Sequence, residues 1–357
     1  MDTARDSSDA AAAPPTPLVV TLITRGSPEQ LTGGYLYHRR LAEAAPAHGA
    51  VVEFVSATPW HNPLRRARGV VVVDSIAAWS VVPWLRPDQG PIAAILHQPP
   101  GGVGKGRLRT ALQHPLDRAC YRRCDLLIAA STALAEVLVT HHRLPAELVR
   151  VIEPGCDLPA VRRPLADLRA GRRVALLCVA NWLPNKGVLE LLEAVAELAS
   201  DRATLHLAGR EDADPGYGAR VRSRVAEPDL RDRVISHGPL ALDEVAALYA
   251  AADAFVLPSY VETYGTVYGE ALAAGLPTVG WAAGNLPNLV TDGVDGCLVE
   301  PADVDGLRAV LERLSVDDAW RAELAGAALR RGAALPTWSD AADTFFGALR
   351  QLTTTPG

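Results

Sequence analysis

Twice along the chain, short apolar runs rich in valine, isoleucine and leucine alternate with amphipathic stretches. The first set is LVVTLIT (18–24), VVEFVSA (51–57), GVVVVDS (69–75), PIAAILH (91–97), DLLIAAS (125–131) and VRVIEPG (149–155). The second is RVALLCVAN (173–181), ATLHLAG (203–209), VISHG (234–238), AFVLPS (254–259), TVGWAA (278–283) and GCLV (296–299). Continuous apolar runs mark strands covered on both faces, and helices between them mark parallel connections. This predicts an α/β chain of two Rossmann-like, doubly wound domains. The expected boundaries are a disordered tail over 1–17, a first domain over 18–158, and a linker over 159–173 where PAVRRPLADLRAGRR breaks the pattern. A second domain then runs over 174–335. The closing segment 336–357 carries a helical stripe at Trp338, Ala342, Phe345, Leu349 and Leu352 with Ser339 as its cap. Such a stripe needs a surface to cover.

Ligands of doubly wound sheets bind beyond the carboxyl ends of the strands, so motif residues belong just after the apolar runs. In VETYGTVYGEALAAGLP (261–277), Glu262 falls in such a loop, whereas Glu270 lies one to two turns into the following helix. The two carboxylates are therefore expected to grip different parts of one extended ligand, since a carboxylate accepts from two vicinal hydroxyls at once. The ordinary alternative is a turn glutamate and a solvated helix glutamate. Thr263, Tyr264 and Gly265 open that helix, where free amides favour anions and hydroxyl oxygens.

Lysine appears only at Lys105 and Lys186 among 35 basic residues, an arginine bias that suggests a GC-rich bacterial genome. Lys186 sits beside Gly187 after a strand, in NWLPNKG (181–187). A surface lysine is its ordinary reading. A plain turn is that of Gly33-Gly34, and a hydrogen-bonded structural residue that of His97.

Taken in order, these segments resemble the retaining glycosyltransferases of family 4, in the GT-B superfamily. VANWLPNKGVLELLEAVAEL (179–198) looks like the family's lysine-glycine loop and helix, and ADAFVLPSYVETYG (252–265) and its continuation resemble its E-x7-E segment. AAGNLPNLVTDGVDGCLVEPAD (282–303) is similar to its closing glycine loops. In the first half, TGGYLYHRRLAEA (32–44), IAAILHQPP (92–100) and VIEPGCD (151–157) look like its Gly-Gly loop, histidine loop and entry to the linker. The likeness runs from Leu18 to Leu352.

The resemblance implies a GT-B fold and a retaining transfer from a nucleotide-diphosphate sugar, such as a UDP or GDP sugar, serving as co-substrate. Glu270 would hold the ribose and Glu262 the transferred sugar, assisted by Thr263 and the amides of Tyr264 and Gly265. Lys186 would neutralise the diphosphate, Gly33 and Gly34 would admit it, and His97 would lie near the sugar. Asn181 stands where many members carry an arginine, and Asn288 where a glutamate is common. Arg210 is a candidate replacement cation. A GT-B epimerase or hydrolase and a degenerate sugar-nucleotide-binding protein are the alternatives.

No Asp-rich metal site is evident, so neither cofactor nor metal is expected. Net charge of −6 and a pI near 5.9 disfavour nucleic acid as a partner. The acceptor is expected to be a small molecule, a lipid-linked group or a glycan. The basic residues of Lys105–Arg123 suit peripheral contact with an anionic membrane as well as a solvated face. Scattered cysteines, odd in number, and the absence of a signal-like N-terminus suggest a cytoplasmic protein, peripheral to the inner membrane face where that contact forms. Cys120 and Cys124 are read as packing residues. GGVGKG (101–106) fails as a phosphate loop because Gly106 replaces the required Ser/Thr.

Overall fold

The computed structural model describes residues 17–26, 33–58, 60–86, 90–102, 107–158 and 167–354. The expected tail, apart from residue 17, the linker up to residue 166 and Lys105 lie outside the described residues. All twelve apolar runs are strands. β1 (Leu18–Thr24), β2 (Ala50–Ser56), β3 (Val70–Asp74), β4 (Ile92–Leu96), β5 (Leu126–Ala129) and β6 (Val149–Val151) form one sheet, ordered β2-β1-β3-β4-β5-β6. β7 (Val174–Val179), β8 (Ala203–Ala208), β9 (Val234–Gly238), β10 (Ala254–Val256), β11 (Thr278–Trp281) and β12 (Gly296–Val299) form the other, ordered β12-β11-β10-β7-β8-β9. Every pairing is parallel.

Burial explains the composition of the runs. All five residues of β3 and of β4 are buried, as are all six of β8, because helices cover both faces of each sheet. Strand order reverses direction between β1 and β3 in the first sheet and between β7 and β10 in the second, so each domain has one crevice at its carboxyl edge.

The helix Trp338–Thr354 packs Ala342, Phe345, Phe346 and Leu349 into the core of the first domain, against Val20, Leu22, Tyr37 and Leu41. Its cap differs from the expected Ser339. Thr337 Oγ1 accepts from Asp340 N at 3.1 Å and Asp340 Oδ2 accepts from Thr337 N at 2.9 Å, a reciprocal box that places the cap two residues earlier. A helix over Asp318–Ala333, not anticipated from sequence, fills the interval before it. All five cysteines are free and buried, and Cys124 Sγ donates to Cys120 O at 3.4 Å.

Candidate functional site

The two crevices share a cavity of about 450 Å³ lined by Gly34 and His97 from the first domain and Asn181, Lys186, Glu262, Thr263, Tyr264 and Gly265 from the second. Its construction begins with the loops after β7 and β10, the two strands flanking the second crevice. Ser259 Oγ and Tyr260 N both donate to Asn185 O, at 3.0 and 2.9 Å, locking the loops together. Gly187 makes the approach possible: its φ is +67°, and a Cβ there would fall 2.1 Å from Pro258 O. Lys186 thereby meets Glu262, and its ammonium donates to Glu262 Oε1 in an ion pair whose side chains are 20% and 13% exposed.

The segment 262–265 is gripped from two further sides. Gly284, at φ +59°, lets the following amide reach in, so that Asn285 N donates to Glu262 O and Asn285 Nδ2 to Tyr264 O, each at 3.0 Å. Asn288 in turn donates to Asn285 Oδ1 at 3.0 Å. Across the interdomain boundary, the Ser131 hydroxyl donates to Thr263 O and Cys156 Sγ lies 3.1 Å from Tyr264 Oη. Gly265, at φ +85°, then caps the helix Thr266–Ala273 and leaves its first amides free toward the cavity.

Glu270 sits in that helix beyond the residues lining the cavity, half-buried, with Tyr249 Oη donating to its Oε2 at 3.1 Å. Burial pushes its carboxyl up to about 7, against the opposing influence of Tyr249 and Arg40. Gly33 and Gly34 form the first turn of the helix Gly33–Ala44. A Cβ on Gly34 would stand 3.2 Å from His97 Cδ2, so the glycine makes room for the His97 ring as well as for a ligand.

Arg210 rests apart from the cavity. Its guanidinium is exposed and held by Asp212 at 3.1 and 3.2 Å, outside the residues lining the cavity. Its backbone N donates to Asn181 Oδ1 at 3.0 Å, so Asn181 ties the ends of β7 and β8 together. His97 lines the cavity, and burial followed by the neighbouring His38 holds its imidazole down to about 3. His38, Asp74, Ser131, Gly284 and Asn285 were not singled out from sequence. His38, Gly284 and Asn285 all stand inside family-like segments, but nothing local distinguishes His38 from an exposed helix histidine.

The family model described as "Glycosyl transferases group 1" matches residues 173–317, and that described as "Glycosyltransferase Family 4" matches residues 18–159. The chain belongs to the family 4 glycosyltransferases. Among the family's curated members, the D-inositol 3-phosphate glycosyltransferase of Stackebrandtia nassauensis is 34% identical over 238 residues, 63% of this chain and 53% of its own. The mannosylfructose-phosphate synthase of Agrobacterium fabrum is 27% identical over 258 residues, 69% of this chain and 56% of its own. The chain thus spans about half the length of the curated relatives it matches. Its GT-B fold is shared with sucrose-phosphate synthase from Thermosynechococcus elongatus, at a TM-score of 0.80, 23% identity and coverage of 94% and 99% of the two chains. Anabaena HepE in complex with UDP-glucose superposes at 0.78, with 19% identity and coverage of 93% and 99%.

Proposed function

We propose that this family 4 member transfers a sugar from a nucleotide-diphosphate sugar to an acceptor hydroxyl with retention of anomeric configuration. The observation that carries the reading is the pairing of Lys186 with Glu262 at the crevice between β7 and β10, facing His97 and Gly34 across the cavity. A diphosphate entering there competes with Glu262 for Lys186, which leaves the glutamate free to accept from sugar hydroxyls. The lysine then offsets the charge that grows on the diphosphate as the glycosidic bond breaks. In front-face displacement the acceptor oxygen bonds the anomeric carbon on the side the phosphate leaves, and a phosphate oxygen takes the acceptor's proton. Helix N-terminal amides at Gly34 and Thr266 supply further donors to anionic oxygens.

The helix Arg107–Tyr121 bears on the acceptor. Leu108, Leu112 and Leu116, one turn apart, are 77%, 66% and 41% exposed. Arg109 and the nearby Arg122 and Arg123 are exposed as well, Arg118 is half-buried, and the helix's one acid, Asp117, is buried. Apolar side chains flanked by cations fit the surface of an anionic bilayer and a lipid-linked acceptor held there. No helix among the described residues is long and apolar enough to cross a membrane.

The test is a thermal-shift panel of UDP-, GDP- and ADP-sugars, followed by NMR of the product's anomeric configuration. Binding of one donor class and an axial-to-axial or equatorial-to-equatorial outcome supports the reading. Turnover to a free or epimerised sugar in the absence of any acceptor points to the hydrolase or epimerase, and donor binding without turnover to the degenerate binding protein.

A further inference from the structure

Behind the cavity wall, at the crevice between β1 and β3, lies a buried polar cluster. Asp74, at the end of β3, is 2% exposed and His38 fully buried. His38 Nε2 and His97 Nε2 are 3.0 Å apart. Two neutral imidazoles share only one proton across such a contact, so one ring donates and the other accepts. The far side of His38 decides which. Its Nδ1 lies 3.7 Å from Asp74 Oδ2, too far for a hydrogen bond but near enough to feel a charge, and it has no hydrogen-bond partner among the described residues.

Asp74 has the acceptor pattern of an ionised carboxylate: Thr24 Oγ1 donates to Oδ2 at 2.7 Å, and Ile76 N to Oδ1 at 3.2 Å. A lone pair on His38 Nδ1 is repelled by that carboxylate, whereas an N–H is attracted. Burial lowers the pKa of both rings, so each carries a single proton. With its proton on Nδ1, His38 presents Nε2 as an acceptor, and His97 must donate from Nε2. The Nδ1 of His97 is then bare, and no protein group among the described residues hydrogen-bonds to it.

We propose that His38 and Asp74 are positioning residues that hold His97 as its Nε2-protonated tautomer, so that its bare Nδ1 accepts from a sugar hydroxyl in the cavity. The identity of that ligand rests on the sugar-transfer reading; the tautomer does not. The ring is also fixed in place, with Tyr37 edge-on at 5.4 Å between centroids and Gly34 against Cδ2.

The experiment labels the protein's nine histidines with ¹⁵N and reads their tautomers from two-bond ¹⁵N–¹H correlation spectra at neutral pH, with His38→Gln and His97→Gln for assignment. His97 protonated on Nε2 and His38 on Nδ1 is the expected result. Asp74→Asn should release both rings into mixed tautomers. His97 protonated on Nδ1, a cationic His97, or tautomers indifferent to Asp74→Asn would overturn the proposal. So would stoichiometric zinc uptake that shifts both rings, since His38, Asp74 and His97 bring ligand atoms within 4.8 Å of one another.

Once a donor is identified, His38→Leu should lower kcat/KM for transfer by about 2- to 10-fold, the net worth of one hydrogen bond, with nucleoside diphosphate affinity unchanged. His38→Gln, whose amide oxygen can accept from His97, should recover part of the loss. Equal loss of diphosphate affinity in His38→Leu would mark a purely structural role. The spectra need no turnover, so a protein that binds no nucleotide sugar yet shows the expected tautomers would sink the transferase reading and leave the positioning intact.

Discussion

Glu262 and Glu270 are two carboxylates of one motif with different neighbours, and their chemistry separates accordingly. Glu262 faces an ammonium, whereas Glu270 faces a tyrosine hydroxyl under partial burial. Glu262→Gln removes the competitor for Lys186, so free nucleoside diphosphate should bind at least as tightly while sugar transfer falls. Glu270→Gln should weaken diphosphate binding by about 1.5–3 kcal/mol if its carboxylate accepts from ribose. Isothermal calorimetry separates the two, and equal losses of diphosphate affinity would contradict the division. The raised pKa of Glu270 adds a pH signature. Because its folded value, about 7, exceeds the ordinary glutamate value of 4.5, the native state holds a proton that the unfolded chain releases. Stability is therefore lost as pH rises from about 4.5 through about 7, and Glu270→Gln should raise Tm relative to wild type progressively across that window. Nucleotide affinity should move the opposite way, increasing toward pH 8 in the wild type and staying flat in the variant. Lys186→Ala should cut kcat by roughly 10²–10³-fold, the cost of removing one preorganised charge-stabilising donor, and Lys186→Arg should recover only part. With Arg210 engaged by Asp212, near-native kcat in Lys186→Ala would leave no cation among the described residues lining the cavity to balance the leaving group, and would end this mechanism.

Among the elements, the strands were readable because burial on both faces imposes an unbroken apolar run, which periodicity detects without any knowledge of neighbours. The helix Asp318–Ala333 escaped because Ala, Arg and Gly give it a diffuse polar-apolar pattern, and a weak stripe is legible only against the element it covers. The loops of the candidate site were legible as motifs, but their grip was not: the contacts of Gly187 with Pro258, Ser131 with Thr263 and Asn285 with Glu262 join residues distant in sequence, and a single chain carries no record of such proximity. His38 is the sharpest case, since its partners come from the ends of β3 and β4. The helix Arg107–Tyr121 was recognised by its charge, whereas its exposed leucines emerged only from the structure. They give the element its own prediction. The protein should co-sediment with vesicles rich in anionic lipid and not with purely zwitterionic ones, and Leu112→Glu should abolish co-sedimentation without changing Tm, because Leu112 is solvated. Indifference to lipid charge would remove the membrane from the account.

At the scale of the whole molecule, the two domains are joined by a chain that leaves the first, builds the second and returns. The return is made by residues 336–354, and its contacts begin at the cavity's own support. Trp338 N donates to Asp157 Oδ1 at 2.7 Å, Cys156 N donates to Pro336 O at 3.1 Å, and the Trp338 ring rests 5.9 Å from Tyr37, which in turn abuts His97. Further along, Phe345, Phe346 and Leu349 are fully buried in the first domain's core. Removing the segment therefore uncovers one domain's core and unties the other from it. Phe345→Ala should cost about 3–5 kcal/mol, a large-to-small change in a packed core, and because the helix covers the first sheet, that domain should unfold at lower denaturant than the second. Trp338→Ala acts at the junction instead: partly buried, it should cost less in stability but loosen the Tyr37 and His97 rings. The expected result is a rise in KM for the sugar donor larger than any change in free diphosphate affinity, since Lys186, the cation proposed for the diphosphate, stands on the second domain. Equal changes in both constants would mean that the returning helix sets the spacing of the domains as a whole and does not act through the Tyr37–His97 contact.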